Sequence, residues 1–160
     1  MRIYIGIDPG AKGFVCVCCG GVYTHIPLRE SPKSKGINPA VLKELRGISE
    51  RGDCVCCIES VHAMPGQGVS STFTFGQNFG MILGVVSANS IPYELVSPNK
   101  WQKEMVTAAD KCESTKQSSY NAARRLHPDM DFRRSVRARN FDDNKVDATL
   151  ICDYAIRKNL

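Results

Sequence analysis

Acidic residues stand at the ends of two apolar segments of this sequence, where carboxylates could do chemistry. Residues 2–8 (RIYIGID) alternate as a β-strand does and end on Asp8, and residues 54–59 (CVCCIE) form a second strand-like segment that ends on Glu59. If the two strands are parallel neighbours, the acids lie on strands about 4.8 Å apart. Carboxylates that close repel unless a cation lies between them, and Mg²⁺ prefers oxygen ligands. The pattern therefore predicts a magnesium site.

A later segment, FDDNKVDATLICDYA, supplies two more acids. Asp143 and Asp147 are four residues apart and lie on one face of a predicted helix. Val146, Leu150 and Tyr154 form an apolar stripe beside them that would dock the helix on the sheet. Four carboxylates could hold two Mg²⁺ ions about 3.5–4 Å apart, an arrangement suited to attack of water on a phosphodiester.

Each acid also has an ordinary alternative explanation. Asp8 precedes Pro-Gly, which is common turn chemistry, and Asp142 or Asp143 could be no more than a helix N-cap. Glu59 could be a surface acid. The coincidence of three acids at the ends of three elements, at one predicted end of a sheet, favours the metal site.

The elements that must position these acids follow the order β-β-β-α-β-α-β and then helices. A crossover through a helix at 39–50 would lay the fourth strand parallel to the first, which predicts an α/β fold with a mixed five-stranded sheet and helices on both faces. We expect residues 1–160 to form a single domain. The predicted strands cover 2–8, 14–18, 22–27, 54–59 and 92–96, and the helices cover 39–50, 71–89, a short segment after Pro98, 114–126 and 143–158.

Glycines mark the tight places in the chain. Gly20 and Gly21 predict a two-residue hairpin turn. We interpret Gly10 as relaxing the turn after Asp8, and Gly13 as leaving room for a ligand to approach the backbone.

The composition is that of an ordinary globular protein. No signal segment or membrane-length apolar stretch is evident, so we expect a cytoplasmic protein with no membrane association. Most of the eight cysteines fall in two strand-like C-x-C-C triplets, where neighbours point to opposite faces and cannot converge on one zinc ion. We interpret them as reduced core residues.

The formal net charge is +5, and most of it lies after residue 96. The densest cluster contains Arg133, Arg134, Arg137 and Arg139, in FRRSVRARN. Clustered arginines suit phosphate binding, although a solvated loop is the alternative.

Four blocks together resemble the RuvC-type Holliday junction resolvases, in particular the small versions found in phages and some bacteria. The blocks, which cover nearly the whole chain in the same order, are IGIDPGAKG, CIESVHAMPGQGVSSTFTFGQNFGMILGVV, IPYELVSPNKWQK and DDNKVDATLICDYA. The resemblance implies a ribonuclease H-like fold and a homodimer. It further implies symmetric nicking of four-way DNA junctions, with two Mg²⁺ ions per active site, for which Mn²⁺ would substitute.

By the same resemblance, Asp8, Glu59 and Asp147 are the acids of the first strand, the middle strand and the last helix. A fourth ligand lies three residues before the last acid in cellular members, and that position is Asn144 here. We favour Asp143 as the fourth ligand, by its charge and its i, i+4 spacing from Asp147, with Asn144 as the alternative.

The resemblance also implies DNA contacts. The loop that contains Met64, Gly66 and Gln67 would face the junction centre, with Met64 as an apolar wedge or, alternatively, a buried anchor. Lys103 and Lys116 match lysines that contact DNA. The arginine cluster would bind phosphates without reading sequence.

The tryptophan and two of the histidines are interpreted mainly as structural residues. Trp101 is expected to pack in the core rather than to stack on bases. His62 and His127 are expected to be structural or surface residues, although His62 could assist proton transfer.

The predicted helix at 71–89 is apolar over more than one face, which suits a dimer interface. Gly76, Gly80 and Gly84 would let two such helices approach closely. A two-fold dimer would also match the two symmetric cuts that a four-way junction needs.

The sequence thus predicts a metal-dependent endonuclease for branched DNA, with no nucleotide cofactor. A sugar-kinase-type phosphotransferase shares the opening motif but needs a second phosphate loop and a second domain. A non-catalytic branched-DNA-binding protein and a ribonuclease acting on RNA or hybrid remain alternatives.

Overall fold

A single mixed sheet forms the centre of the computed structural model, which describes residues 1–31, 33–60, 66 and 68–160. The strand order is β3-β2-β1-β4-β5. β1 pairs antiparallel with β2 and parallel with β4, and β5 extends β4 in parallel. The strands are β1 (Ile3–Ile7), β2 (Phe14–Cys19), β3 (Val22–Pro27), β4 (Cys54–Glu59) and β5 (Tyr93–Val96).

Five helices accompany the sheet in the described part of the chain, and all but α2 begin at a side-chain cap or at a proline. Asn38 caps α1 by accepting a hydrogen bond from Ala40 N–H, and Asp142 caps α5 through Asn144 N–H. A 3₁₀ turn at Ala108–Asp110, closed by a Thr107–Asp110 capping box, was not predicted. The helices are α1 (Pro39–Arg51), α2 (Val69–Ala88), α3 (Pro98–Met105), α4 (Thr115–Leu126) and α5 (Asp143–Lys158).

Alternate residues of the strands face two separate apolar layers. One layer packs one face of β1 and β4 against α1 and α2; it includes Ile5, Ile58, Leu45 and Ile82. The opposite layer packs β4 and β5 against α3, α4 and α5, and the second face of β2 packs against α5. The predicted mixed sheet with helices on both faces is therefore confirmed.

The turn and cysteine predictions also hold. Gly20 and Gly21 both have positive φ angles, as a two-residue hairpin turn requires. All eight cysteines are unpaired, and neighbours such as Cys56 and Cys57 lie in different layers. Among the described residues, no helix is both long enough and apolar enough to cross a membrane.

Candidate active site

Asp8 and Glu59 lie at the same end of two neighbouring parallel strands. Ile7 pairs with Ile58 at the end of the ladder, and the two acids are the next residues of their chains. Asp8 is 8% exposed, and its Oδ1 accepts a 3.0 Å hydrogen bond from Gly10 N–H. The strand register thus brings the first two predicted acids to one edge of the sheet.

Helix α5 brings Asp147 to the same end because it crosses β1 at Gly6. An added β-carbon on Gly6 would overlap the backbone nitrogen of Cys152 and the carbonyl oxygen of Ala148. Only glycine lets the helix backbone approach the strand this closely. Asp147 directly precedes Ala148, so this contact sets its distance from Asp8. Gly6 was not predicted to have a function, although a glycine inside a strand is the signal for close backbone approach.

The three acids share an environment that disfavours their ionised forms. Burial raises the pKa of Asp8 to about 7, against the hydrogen bond from Gly10 and with the added repulsion of Glu59 and Asp143. Burial also raises the pKa of Asp147 to about 8, and the charges of Asp8 and Glu59 raise it further. Burial raises the pKa of Glu59 as well. A cation between these groups would relieve both the burial cost and the repulsion.

The donor chemistry fits Mg²⁺, because the gathered groups are hard carboxylate oxygens. Within the described part of the chain, however, no three carboxylates, imidazoles or thiolates already surround one point. Three of the four predicted ligand acids have another partner instead. Asp8 accepts from Gly10, Glu59 accepts from Trp101, and Asp143 pairs with Lys116. The carboxylates are thus of the kind that Mg²⁺ prefers, but in the described residues they do not surround a common point.

Asp143 and Asn144 are the two candidates for a fourth ligand of the predicted metal site. Asp143 forms an ion pair with Lys116 Nζ. Asn144 donates to Asp142 Oδ1 at 3.1 Å, while its own Oδ1 flanks Gly10 together with Asp8 Oδ1. Both side chains reach the end of the sheet where Asp8 lies, so the choice between Asp143 and Asn144 stays open.

Trp101 lies directly beside the site. Its indole Nε1–H donates a 2.9 Å hydrogen bond to Glu59 Oε1, and the side chain is fully buried. The expected packing in the core is confirmed, but the contact with Glu59 was missed. The available signal was the single tryptophan in a helix that follows the strand next to β4.

The two predicted DNA-contacting lysines are both exposed. Lys103 lines a cleft of about 390 Å³ together with Lys111 and the start of α4. Lys116, in the first turn of α4, reaches Asp143. A cation near a helix start is unfavourable, and the nearby carboxylate compensates for it.

The four arginines fall into two groups. Arg133 makes a double hydrogen bond to Asp131, with Arg133 Nη2 2.8 Å from Asp131 Oδ2, and Arg134 Nη1 bonds to Asp142 Oδ2 at 2.8 Å. These pairs anchor the loop before α5. Arg137 and Arg139 are exposed, and within the described residues neither forms an ion pair.

The remaining predictions concern the loop that contains Gly66, and two histidines. Met64, Gln67 and His62 lie outside the described residues, whereas Gly66 is exposed and has a φ of +85°. His127 is structural, because its Nε2 lies 2.7 Å from Asp153 Oδ2.

The interpretation of Gly13 was wrong. A β-carbon at Gly13 would overlap the carbonyl oxygen of Asp8, and Gly13 N–H donates to Gly10 O at 2.9 Å. The turn that follows Asp8 itself requires this glycine, so Gly13 leaves no room for a ligand.

Comparison with known proteins gives a likeness in structure but not in sequence. No family model and no curated protein matches the chain. Solved structures of RuvC from Thermus thermophilus do match. One, in complex with a Holliday junction substrate, superposes with a TM-score of 0.63 at 12% identity, over 99% of this chain and 96% of that chain. The chain has the RuvC fold.

A second structure of Thermus thermophilus RuvC superposes with a TM-score of 0.53, again at 12% identity, over 99% of this chain and 97% of that chain. The ribonuclease H-like fold that the sequence blocks implied is therefore confirmed. At this identity the likeness establishes the fold, and the chemistry has to be argued from the residues of this chain.

Proposed function

We propose that this protein is a metal-dependent endonuclease that resolves Holliday junctions and other branched DNA by symmetric nicking, in recombination and repair. The observation that carries the proposal is the placement of Asp8, Glu59 and Asp147 at one end of a RuvC-like sheet, with their ionised forms disfavoured by burial. A likeness to a protein solved with a Holliday junction supports branched DNA as the substrate class.

The proposed cofactor is Mg²⁺, with Mn²⁺ as a substitute and two ions per site. Asp8, Glu59 and Asp147 would hold the ions, with Asp143 or Asn144 as the fourth ligand. When bound, the metal would activate water and stabilise the leaving oxygen of the phosphodiester. A bound cation would favour the ionised forms of Asp8 and Asp147, whose pKa values burial raises to about 7 and about 8.

Exposed lysine and arginine side chains would position the DNA. Lys103, Lys116, Arg137 and Arg139 are exposed and would contact phosphates, which positions the substrate without reading its sequence. Lys116 would exchange Asp143 for a phosphate, so that substrate binding and release of this carboxylate occur together.

A homodimer would supply the second cut. Val69 is 86% exposed and Phe73 is 72% exposed on α2, although both are apolar. Gly76, Gly80 and Gly84 follow at four-residue spacing, and a β-carbon on any of them would meet no atom within 4 Å. An apolar, open helix face of this kind suits packing against a second copy.

The second candidate is a branched-DNA-binding protein without catalysis. The ion pair between Asp143 and Lys116, and an amide at residue 144, favour it. In that case the basic surface would bind the junction, but the acids would never assemble around a metal ion.

Cleavage of a mobile synthetic four-way junction with Mg²⁺ separates these functions. Plain duplex, a flap and an RNA–DNA hybrid serve as comparison substrates, and the Asp8→Asn, Asp143→Asn and Asn144→Ala proteins are assayed in parallel. We expect paired nicks on the junction that Asp8→Asn and Asp143→Asn abolish and Asn144→Ala retains.

Other outcomes are equally informative. Tight junction binding without cutting, in Mg²⁺ and in Mn²⁺, would establish the binding protein instead. Preferred cutting of the hybrid would establish a ribonuclease. Loss of activity in Asn144→Ala but not in Asp143→Asn would assign the fourth position to Asn144.

A further inference from the structure

We propose that Trp101 is a positioning residue that orients the Glu59 carboxylate for metal binding. The proposal rests on the proposed function, because it takes Glu59 as a metal ligand. The contact that carries it is the 2.9 Å hydrogen bond from Trp101 Nε1–H to Glu59 Oε1. Trp101 itself would touch neither the metal nor the DNA.

The path of the chain from β5 into α3 brings Trp101 to Glu59. Val96 of β5 is the register partner of Glu59, and Ser60 N–H donates to Val96 O at 2.7 Å. The chain then turns at Ser97 into α3, whose first residue is Pro98. Trp101 N–H closes the first helical turn on Ser97 O. The strand pairing and this turn return the indole to the end of β4.

Packing fixes the indole in place. Trp101 is fully buried in the layer that includes Met105, Phe132, Val146 and Leu150. A large ring in a close-packed core cannot rotate freely, so its single N–H donor has one direction. The bond to Glu59 satisfies that donor and holds Oε1 of the carboxylate.

Glu59 needs such support more than the other acids do. The Glu59 side chain has one more rotatable bond than that of Asp8 or Asp147, so ordering it costs more conformational entropy. Trp101 orders it before the metal arrives. Among the described residues, Oε2 of Glu59 accepts no hydrogen bond, which leaves that oxygen available as a ligand. Partners that orient a metal ligand typically account for about 10–100-fold in metal affinity.

The test uses metal binding by the full-length protein without DNA. Binding of Mn²⁺ is measured from the loss of the free-ion electron paramagnetic resonance signal. Trp101→Phe, which keeps an aromatic ring but lacks the N–H, should weaken Mn²⁺ binding about 10-fold. Tyr154→Phe is the matched control, because it removes a polar hydrogen from a buried aromatic of the same layer without touching Glu59.

A spectroscopic readout follows from the composition, since Trp101 is the only tryptophan. Emission of the wild-type protein should change when Mn²⁺ or Mg²⁺ is added, and the change should be absent in Glu59→Gln. This signal reports that metal binds through Glu59 beside the indole, and the Mn²⁺ affinity of Trp101→Phe then tests the positioning role.

The junction assay is then run across Mg²⁺ concentrations. Trp101→Phe should require about 10-fold more Mg²⁺ for half-maximal cleavage and recover near wild-type rates at saturation. If Trp101→Phe is unfolded, benzothienylalanine at position 101 keeps the shape and removes only the donor.

The two possible failures are distinguishable. A wild-type protein that neither binds Mn²⁺ nor cuts the junction would refute the proposed function itself. A wild-type protein that does both, with Mn²⁺ affinity unchanged by loss of the 101 donor, would overturn the positioning role and leave the proposed function standing.

Discussion

Gly6 of β1 and Ala148 of α5 are in direct backbone contact, and the space between them is too small for any side chain at position 6. Asp147 precedes Ala148, and Asp8 follows Gly6 by two residues. The strand–helix contact therefore sets how the acid of the last helix stands to the acid of the first strand. A position with no functional group of its own thus controls the geometry of the site.

Replacing Gly6 with alanine should destabilise the protein and displace α5. The added methyl would overlap backbone atoms rather than a movable side chain, so we expect a loss of about 3 kcal/mol in the free energy of unfolding. Urea denaturation measures the loss. The matched control is Gly47→Ala in α1, where a β-carbon meets no atom within 4 Å and should raise stability by about 0.5–1 kcal/mol. Equal effects from the two substitutions would contradict the assigned contact.

The metal-free protein should lose stability as the pH rises from 6.5 to 8.5. Folding raises the pKa of Asp8 to about 7 and of Asp147 to about 8, so the folded state holds protons that the unfolded chain has released. Stability conferred by a raised pKa is present at low pH and lost through this range, by on the order of 2 kcal/mol. Below pH 6.5 the lowered pKa of His25, about 4, acts in the opposite direction.

Urea unfolding in EDTA across this pH range tests the slope. Asp147→Asn should flatten it and stabilise the metal-free protein at pH 8.5, because the amide carries no charge to bury. Saturating Mg²⁺ should flatten it in the wild type alone. A stability that rises with pH in EDTA would show that the acids are not in the environment described.

Sequence patterns predicted the strands and the long helices because each has a clear period and clear end signals. β4 and α5 match their predicted bounds, and Asn38 caps α1 as predicted. The paired ends of β1 and β4 followed from the crossover rule, which depends only on element order.

Features that depend on which side chains meet across the fold were harder to predict. The bond between Trp101 and Glu59 links residues 42 positions apart, and the pairs of Arg133 and Arg134 with neighbouring acids arise from the path of one loop. Gly6 and Gly13 show the same limit, because a glycine signals close approach without naming the partner.

Replacing Lys116 with glutamine should separate metal binding from DNA cleavage. The pair with Asp143 is exposed on the lysine side, so the loss of folding stability should stay below about 1 kcal/mol. Removing the competing ammonium should strengthen Mn²⁺ binding by the DNA-free protein. Junction cleavage should fall, because a phosphate contact is lost.

The control for this prediction is Lys100→Gln, which breaks a similarly exposed pair with Glu94. Glu94 lies on β5, the strand that pairs with β4. Lys100→Gln should leave Mn²⁺ affinity unchanged. Weaker Mn²⁺ binding in Lys116→Gln would mean that the lysine supports the ligand set instead of competing with the metal.

The arginine loop should divide into anchoring and DNA-binding residues. Arg137 and Arg139 are exposed without ion-pair partners among the described residues, whereas Asp131 neutralises Arg133. Arg137→Gln and Arg139→Gln should each weaken junction binding at all sequences and reduce the slope of log K against log salt by about one. Arg133→Gln should change that slope much less.

Fluorescence anisotropy of a labelled four-way junction measures these slopes in the Asp8→Asn background, where the DNA stays intact. Potassium chloride is varied at a fixed Mg²⁺ concentration, and urea unfolding checks that each variant is folded. Arg133→Gln should lower stability slightly, since its bond to Asp131 braces the loop that leads into α5. If Arg133→Gln reduces the salt slope as much as Arg137→Gln does, the Asp131 pair opens on binding and Arg133 also contacts phosphate.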